Sequence, residues 1–427
     1  MKLAARDREM LDGEHGEAAR FAMSVVVRAA AAVGAETLLS VEQAHIDACA
    51  LRSRSSLDLI GHLVEGGGRV SVSVPTTLSM VSLDLENWRY LGVGRDHAET
   101  ALRIAGGYLA LGCIPTWTCA PYQGYLAPRF GQHIAWGESN AVAYANSVLG
   151  ARTNRYPDYL DICAAITGRV PYAGLHRDEN RRGTFRVNIE SGDPAQWASP
   201  VAWAALGSLV GRTVGERVPV LDGLPPERPS NDMLKAFGAA AASFGSVGLF
   251  HIVGVTPEAA DLSTACGGRP PAETVAFSTE ALCDAWAELS SAEAGEPVDA
   301  IVLGCPHASY AELEALVRAI ASRSSPRVRS SVQLLVFASA PMVELARRGG
   351  LLEPLARFGA TIVRDSCPFH VPVVMAEARV LMTDSAKCAY YAPGELDVRV
   401  AVGTLDACVD SAVTGEIRGG EPPWRVR

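Results

Sequence analysis

The sequence has no surplus of positive charge. Its 38 Lys and Arg face 47 Asp and Glu, a net charge of −9. That balance excludes nucleic acid as the main partner, because phosphates must be neutralised by basic side chains. No run of about eighteen apolar residues occurs, so no membrane-spanning helix is expected. The apolar stretch VAWAALGSLVG at 201–211 is too short to cross a bilayer. The N-terminus, MKLAARDREMLDGEHGEAAR, is charged where a secretory signal has an apolar core. There is no CxxC pair, so a zinc ribbon is not expected. The glycine-rich pieces VEGGGRV and IAGGYLALG lack the GxGxxG order of a dinucleotide site. Short-period repeats and low-complexity tracts are also missing.

What is present is an ordinary globular composition, 48% hydrophobic and 20% charged, which excludes a disordered chain. A length of 427 residues suggests two or three domains. The pattern divides into an N-terminal α/β part over 1–230 and a C-terminal α/β part over 231–427. Ten cysteines without an export signal point to a reducing compartment, the cytoplasm, and to free thiols. Cys49, Cys163, Cys266, Cys283 and Cys408 sit in unremarkable settings and read as small buried hydrophobes.

Along the chain, Phe21, Val25, Ala29 and Val33 recur at helical spacing and Gly34 stops the run. RVSVSVPTT at 69–77 reads as a strand, and LENWRYLGV at 85–93 and DHAETALRIAGGYLALG at 96–112 read as helices. A helix is expected from Glu138 onward. The text from about 200 to 240 reads as helical and then as loop, with the soft boundary near 230. The final third alternates most clearly. Strands VDAIVLG, VQLLVFAS, ATIVRDS and RVLMTDS are interleaved with helices such as ASYAELEALVRAIAS. This predicts an α/β fold with a parallel sheet. Cys305, Ser339, Cys367 and Ser385 all fall just past strand ends, the edge where open α/β sheets bind ligands.

The stretch from Cys113 to Asn154 spends many positions on Thr, Ser, Asn and Glu, more than core packing needs. It contains Cys119. We expect Cys119, Cys305 and Cys367 to meet in space and hold an iron centre. Soft thiolates select iron–sulfur clusters, zinc or copper(I). Three protein thiolates would leave one position open for a Lewis acid that polarises a hydroxyl, which suits a dehydratase. The rival use is one nucleophilic cysteine paired with His307 or His370. It leaves the other two cysteines unexplained.

Other candidates surround this core. Glu138 is the carboxylate expected near the metal, and Lys387 is an anion binder or acid/base. His176 joins them as a catalytic candidate. Ser139 and Asn140 either cap a helix or mark an N-terminus aimed at a substrate carboxylate. His45, with Asp47 beside it, follows a strand. Thr76 and Thr77 end another, and Ser79 lies just beyond. Arg181, in a cluster with Arg177 and Arg182, is placed to grip an anion, and Ser385 lies at a strand end.

Taken together, MLDGEHGEAARFAM, VEQAHID, SVPTTLSMVSLD, TCAPYQGYLAPRFGQHIAWGESNAVAYANSVLGARTN, YAGLHRDENR, HIVGVTPEA, VLGCPHAS, DSCPFH and TDSAKCAYYAPG resemble the aconitase X family, its catalytic large part. The resemblance spans nearly the whole chain. It implies an aconitase-like α/β fold in several layers, with a cluster at the interface between subdomains. It implies an iron–sulfur cluster, [2Fe-2S] or [4Fe-4S], on Cys119, Cys305 and Cys367. It implies a hydro-lyase acting on a small hydroxy acid. Bacterial members are similar to cis-3-hydroxy-L-proline dehydratases, which form Δ1-pyrroline-2-carboxylate. Archaeal members dehydrate mevalonate 5-phosphate. The Ala- and Arg-rich composition favours the first. A non-catalytic scaffold relative is the reading from another class, and the retained cysteines speak against it. Two positions depart from the family pattern, Ser79 in TTLS and Asn140 in ESNAV. Cys388 stands where a small residue is usual and is not counted as a ligand. The family's swivelling domain is not found, which implies a small partner subunit carrying it.

Overall fold

A computed structural model describes residues 1–424 apart from 48–50, 52–53, 72, 125, 191–196, 226 and 325. Cys49 therefore lies outside the described residues. Among the described residues, three parallel sheets and one antiparallel pair make up the β structure. In the largest sheet the strand order is Ala360–Arg364, Gln333–Ala338, Ala300–Leu303, Val380–Thr383, Arg399–Val402, and every pairing is parallel. These strands are nearly continuous in apolar residues because helices cover both faces. Ala300–Leu303 and Val380–Thr383 are buried at every position. Three of the helices beside this sheet, Tyr310–Ala321, Ala386–Leu396 and Leu405–Thr414, start from side-chain caps. Ser309 forms a capping box with Glu312, and Ser385 accepts from Cys388 N.

The second sheet has the order Thr76–Leu78, Ala44–Ile46, Ala135–Trp136, again parallel. The strand expected over 69–77 is confined to Thr76–Leu78. Pro75 has no N–H to give a ladder and sits just before it. The helix expected over 85–93 is instead a run of turns. Asp84 Oδ1 accepts from Glu86 N and Asn87 N and so competes with helical bonding. A third parallel sheet joins His251–Ile252, Pro219–Asp222, Phe185–Ile189 and Glu273–Phe277. It draws strands from both sides of residue 230. The stretch read as helix and loop over 200–240 holds one of them, Pro219–Asp222, between two packed helices, Pro200–Val214 and Asn231–Gly245.

The first two sheets matter most for function. Cys305, Cys367 and Lys387 follow the C-terminal ends of strands in the large sheet. Asp47 and Glu138 follow strand ends in the three-stranded sheet. Both sets of ends open on the same cavity. Among the described residues, no helix is long and apolar enough to cross a membrane.

Candidate active site

The cavity has a volume of ≈ 450 Å³. Cys119, Cys305 and Cys367 all line it, with Glu138, Ser139 and Lys387. The turn that delivers Cys305 depends on glycine. Gly304 has φ +83, and a Cβ there would stand 2.1 Å from the Phe337 carbonyl oxygen. Ser385 steadies the other side by donating its hydroxyl to the Cys305 carbonyl.

His307 ties the three cysteine loops together. Its backbone N–H donates to Cys119 Sγ at 3.3 Å. Its ring lies 3.2 Å from Thr118 Oγ1 through Nδ1 and 2.7 Å from the Ser366 carbonyl through Nε2. Both ring nitrogens are thus engaged, and burial pushes the imidazole down to about 4. A ring in that state is not available to activate Cys305 as a nucleophile.

Burial raises the Cys119 thiol to about 12 and the Cys367 thiol well above the usual range. Cys305 is lowered, chiefly by a hydrogen bond from the Cys388 thiol. The three thiols also act on one another electrostatically. None of the described cysteines is in a disulfide. Among the described residues no group of three or more His, Cys, Asp or Glu closes to the spacing of a single metal ion. Three unpaired thiols around one cavity, with an ammonium beside them, fit a polynuclear iron–sulfide group, whose ligands sit on different irons.

Beside the thiols stands a charged cluster. Lys387 Nζ donates to Glu138 Oε1 at 2.7 Å, and the two side chains are 11% and 4% exposed. Asn140 Nδ2 donates to the same oxygen at 2.8 Å and to the Cys119 carbonyl at 3.2 Å. Ser139 Oγ lies 3.4 Å from it. Burial alone would raise the Glu138 carboxyl, but Lys387 and hydrogen bonds from Asp47, Lys387 and Asn140 outweigh it and hold Glu138 below the usual carboxylate range. Burial likewise opposes charge on Lys387, yet Glu138, Cys305 and Cys119 keep its ammonium well above the ordinary value.

Six of the expected site residues therefore meet at the cavity: Cys119, Cys305, Cys367, Glu138, Ser139 and Lys387. Asn140 stands behind Glu138, and Ser385 behind Cys305, where it walls a second cavity of ≈ 550 Å³. The others are not brought to the cavity. His45 is buried, with Nδ1 2.8 Å from Thr77 Oγ1. Thr76 Oγ1 donates to the Val74 carbonyl, and Ser79 Oγ to Met80 Sδ. The His176 ring is engaged by His133 and Tyr156. Arg181 pairs with Glu258 and bonds the carbonyls of Asn146 and Leu175. Their types and positions suggested a site, but apart from His45 Nε2, which has no hydrogen-bond partner, their side-chain polar groups are engaged inside the fold.

The cavity also contains residues without a specific role assigned from the sequence. Asp47 follows strand Ala44–Ile46, a position that signals function, but its partner is Glu138, far along the chain. Arg155, Asp158 and Glu395 stand exposed at its mouth, and no motif marks them.

Known proteins are similar to this chain over nearly its whole length. The aconitase X first, second and third domains match residues 1–179, 183–287 and 298–414. A cis-3-hydroxy-L-proline dehydratase of Pseudomonas aeruginosa is 45% identical over 99% of this chain and 72% of its own length. A protein of the same description from Hypocrea jecorina is 43% identical over 97% of this chain and 69% of its own. A phosphomevalonate dehydratase large subunit of Methanothermobacter thermautotrophicus is 36% identical over 91% and 93%. The crystal structure of Thermococcus kodakaraensis aconitase X in its holo-form superposes with TM-score 0.84 at 30% identity, covering 96% of this chain and all of that one.

Proposed function

The chain belongs to the aconitase X family, and from that premise we propose that it is the catalytic large part of a hydro-lyase for cis-3-hydroxy-L-proline. The product is Δ1-pyrroline-2-carboxylate. The observation that carries this reading is the meeting of three unpaired thiols with the Glu138–Lys387 pair in one cavity. Identity favours the hydroxyproline substrate, at 45% against 36% for the phosphomevalonate relative. Dehydration of mevalonate 5-phosphate is the second reading, supported by relatives that this chain covers over 93% to 98% of their length.

Cys119, Cys305 and Cys367 would hold an iron–sulfur cluster. Such a group supplies a Lewis acid that polarises the substrate hydroxyl. The protein's own residues do the rest. Helix Ser139–Ser147 begins at the cavity, and a helix N-terminus favours a carboxylate. Lys387 adds a fixed positive charge there, and Glu138 holds that charge in place. Arg155 at the mouth faces the incoming carboxylate of the substrate. A small partner subunit carrying a swivelling domain closes the cavity. The archaeal relatives are described as large subunits, and the aligned stretch accounts for 72% of the Pseudomonas aeruginosa relative. The unpaired thiols suit the reducing cytoplasm.

The test is iron and sulfide content with visible absorption, on protein purified without oxygen. Wild type is expected to be brown and Cys305→Ser colourless. Turnover of the two substrates is then compared, with and without the small partner. A wild type that takes up no iron or sulfide after anaerobic reconstitution overturns the reading and leaves the non-catalytic one.

A further inference from the structure

Elimination of water needs two proton movements. A base takes the proton from the carbon beside the carboxylate, and the departing hydroxyl oxygen takes up a proton to leave as water. The donors on the cavity wall are not equal. Lys387 is an ammonium fixed on Glu138 at 2.7 Å. Glu138 is an anion with nothing to give. The Tyr156 hydroxyl is engaged with the His176 ring. Ser139 and Tyr391 carry only hydroxyls.

Asp47 differs from all of these. Its side chain hydrogen-bonds the Glu138 carboxyl. Two carboxyl groups share a hydrogen bond only if one of them keeps a proton. Glu138 Oε1 already accepts from Lys387 and Asn140, so the proton resides on Asp47. Asp47 Oδ1 is buried and no donor reaches it, as a carboxylic acid facing an anion requires. The fold presses the residue into place. The Asp47 backbone N–H donates to Asp161 Oδ2 at 2.7 Å. The neighbouring Gly137 has no room for a side chain, since a Cβ would lie 2.7 Å from Asp161 Oδ2 and 3.0 Å from Asp47 Cβ.

We propose that Asp47 is a catalytic acid of this site, donating its carboxyl proton to the leaving hydroxyl of the substrate. This rests on the dehydratase reading above. The proton on the carbon beside the carboxylate passes to a separate basic side chain, and its C–H electron pair becomes the new C=C bond. The C–O pair leaves with oxygen, which takes the Asp47 proton and departs as water. Asp47 is left as a carboxylate beside the Glu138 anion. Burial, Glu138, Asp158 and Asp161 all push its carboxyl well above the usual range, so it regains a proton from cavity water before the next turnover. Lys387 has a second purpose in this arrangement. By keeping Glu138 ionised, it keeps the shared proton on Asp47.

A leaving group that needs no proton tests the assignment. Fluoride departs as an anion, so cis-3-fluoro-L-proline bypasses the acid. The holoenzyme is assayed for water loss from cis-3-hydroxy-L-proline and for fluoride release from the analogue. In Asp47→Asn, which keeps the shape and a donor to Glu138, water loss is expected to fall about 10³-fold and fluoride release less than about tenfold. The ratio of the two rates is read within one sample, so partial misfolding cancels. Asp47→Ser is the second variant and should shift the ratio the same way. The proposal is overturned if both reactions fall together, if water loss is unchanged, or if His370→Gln shifts the ratio and Asp47→Asn does not. A wild type that releases neither water nor fluoride sinks the dehydratase reading itself, and the acid with it.

Discussion

One nine-residue helix, Ser139–Ser147, has a buried polar cluster at each end. At its N-terminus Glu138 pairs with Lys387 and faces the cavity. Near its C-terminus Asn146 accepts from Arg181 through both its carbonyl and its Oδ1, and Arg181 also pairs with Glu258. Each cluster sets a cation against a carboxylate away from water. The difference lies in what remains open. Arg181 uses its donors on the protein, and its positive charge sits by the negative end of the helix. It needs no ligand. The cluster at the other end has cavity on one side and a helix N-terminus beside it, so it can still take up an anion. Burial and charge alone do not mark a site. An unfilled hydrogen-bonding side does.

The sharpest way to break this comparison is Glu138→Gln. It leaves the Lys387 ammonium buried without its anion, which costs about 3 kcal/mol of stability. It also takes the charge that keeps Asp47 protonated. Turnover is expected to fall at least about 10³-fold. Steady-state kinetics and a urea midpoint measure the two effects. Turnover within threefold of wild type would show that the cluster is structural, like its counterpart at the far end.

Arg181→Met is the matching change at the closed end. Arg181 is 3% exposed and Glu258 20%, so breaking the pair should cost about 3 kcal/mol. The kcat and KM of the folded fraction should stay within about twofold. A tenfold rise in KM with unchanged stability would place Arg181 on the substrate and erase the contrast.

How far each cluster was legible follows from the distances involved. The strand ends at Cys305 and Ser339 could be read because buried parallel strands leave unbroken apolar runs, AIVL and LLVFA, and the strand before Cys367, ATIVR, shows itself by its β-branched residues. Cys119 lies past a segment that joins the three-stranded sheet only through isolated bonds such as Thr118 N to the Leu78 carbonyl. It has no strand pattern of its own, and the family motif carried it. Strand Glu273–Phe277 was missed because it is mostly exposed and so carries no buried apolar run. Arg181 looked like an anion clamp because its consumer, Glu258, is a loop residue with no periodic relation to it. Asp47 was visible as a polar residue at a strand end, but its meaning depends on Glu138. Whether a polar group is satisfied is a property of tertiary contacts, and sequence spacing does not encode it.

The smallest expected effect concerns His176, which belongs with the closed cluster. It is 1% exposed, and burial, then His133, Arg181 and Arg152, push its imidazole down to about 3. In the unfolded chain it titrates near about 6.5. Between those two values the unfolded chain binds one proton more than the folded one, so stability falls as pH falls through that window. The slope is about 1.4 kcal/mol per pH unit, or about 2 kcal/mol between pH 6.5 and pH 5. In His176→Gln this contribution is absent, so the stability gap between wild type and variant should narrow by that amount over the same interval. Urea unfolding at three pH values measures it. A gap that stays constant from pH 7 to pH 5 would mean that His176 takes up a proton within the folded protein. It would then be a titrating group, and its place with the satisfied residues would be lost.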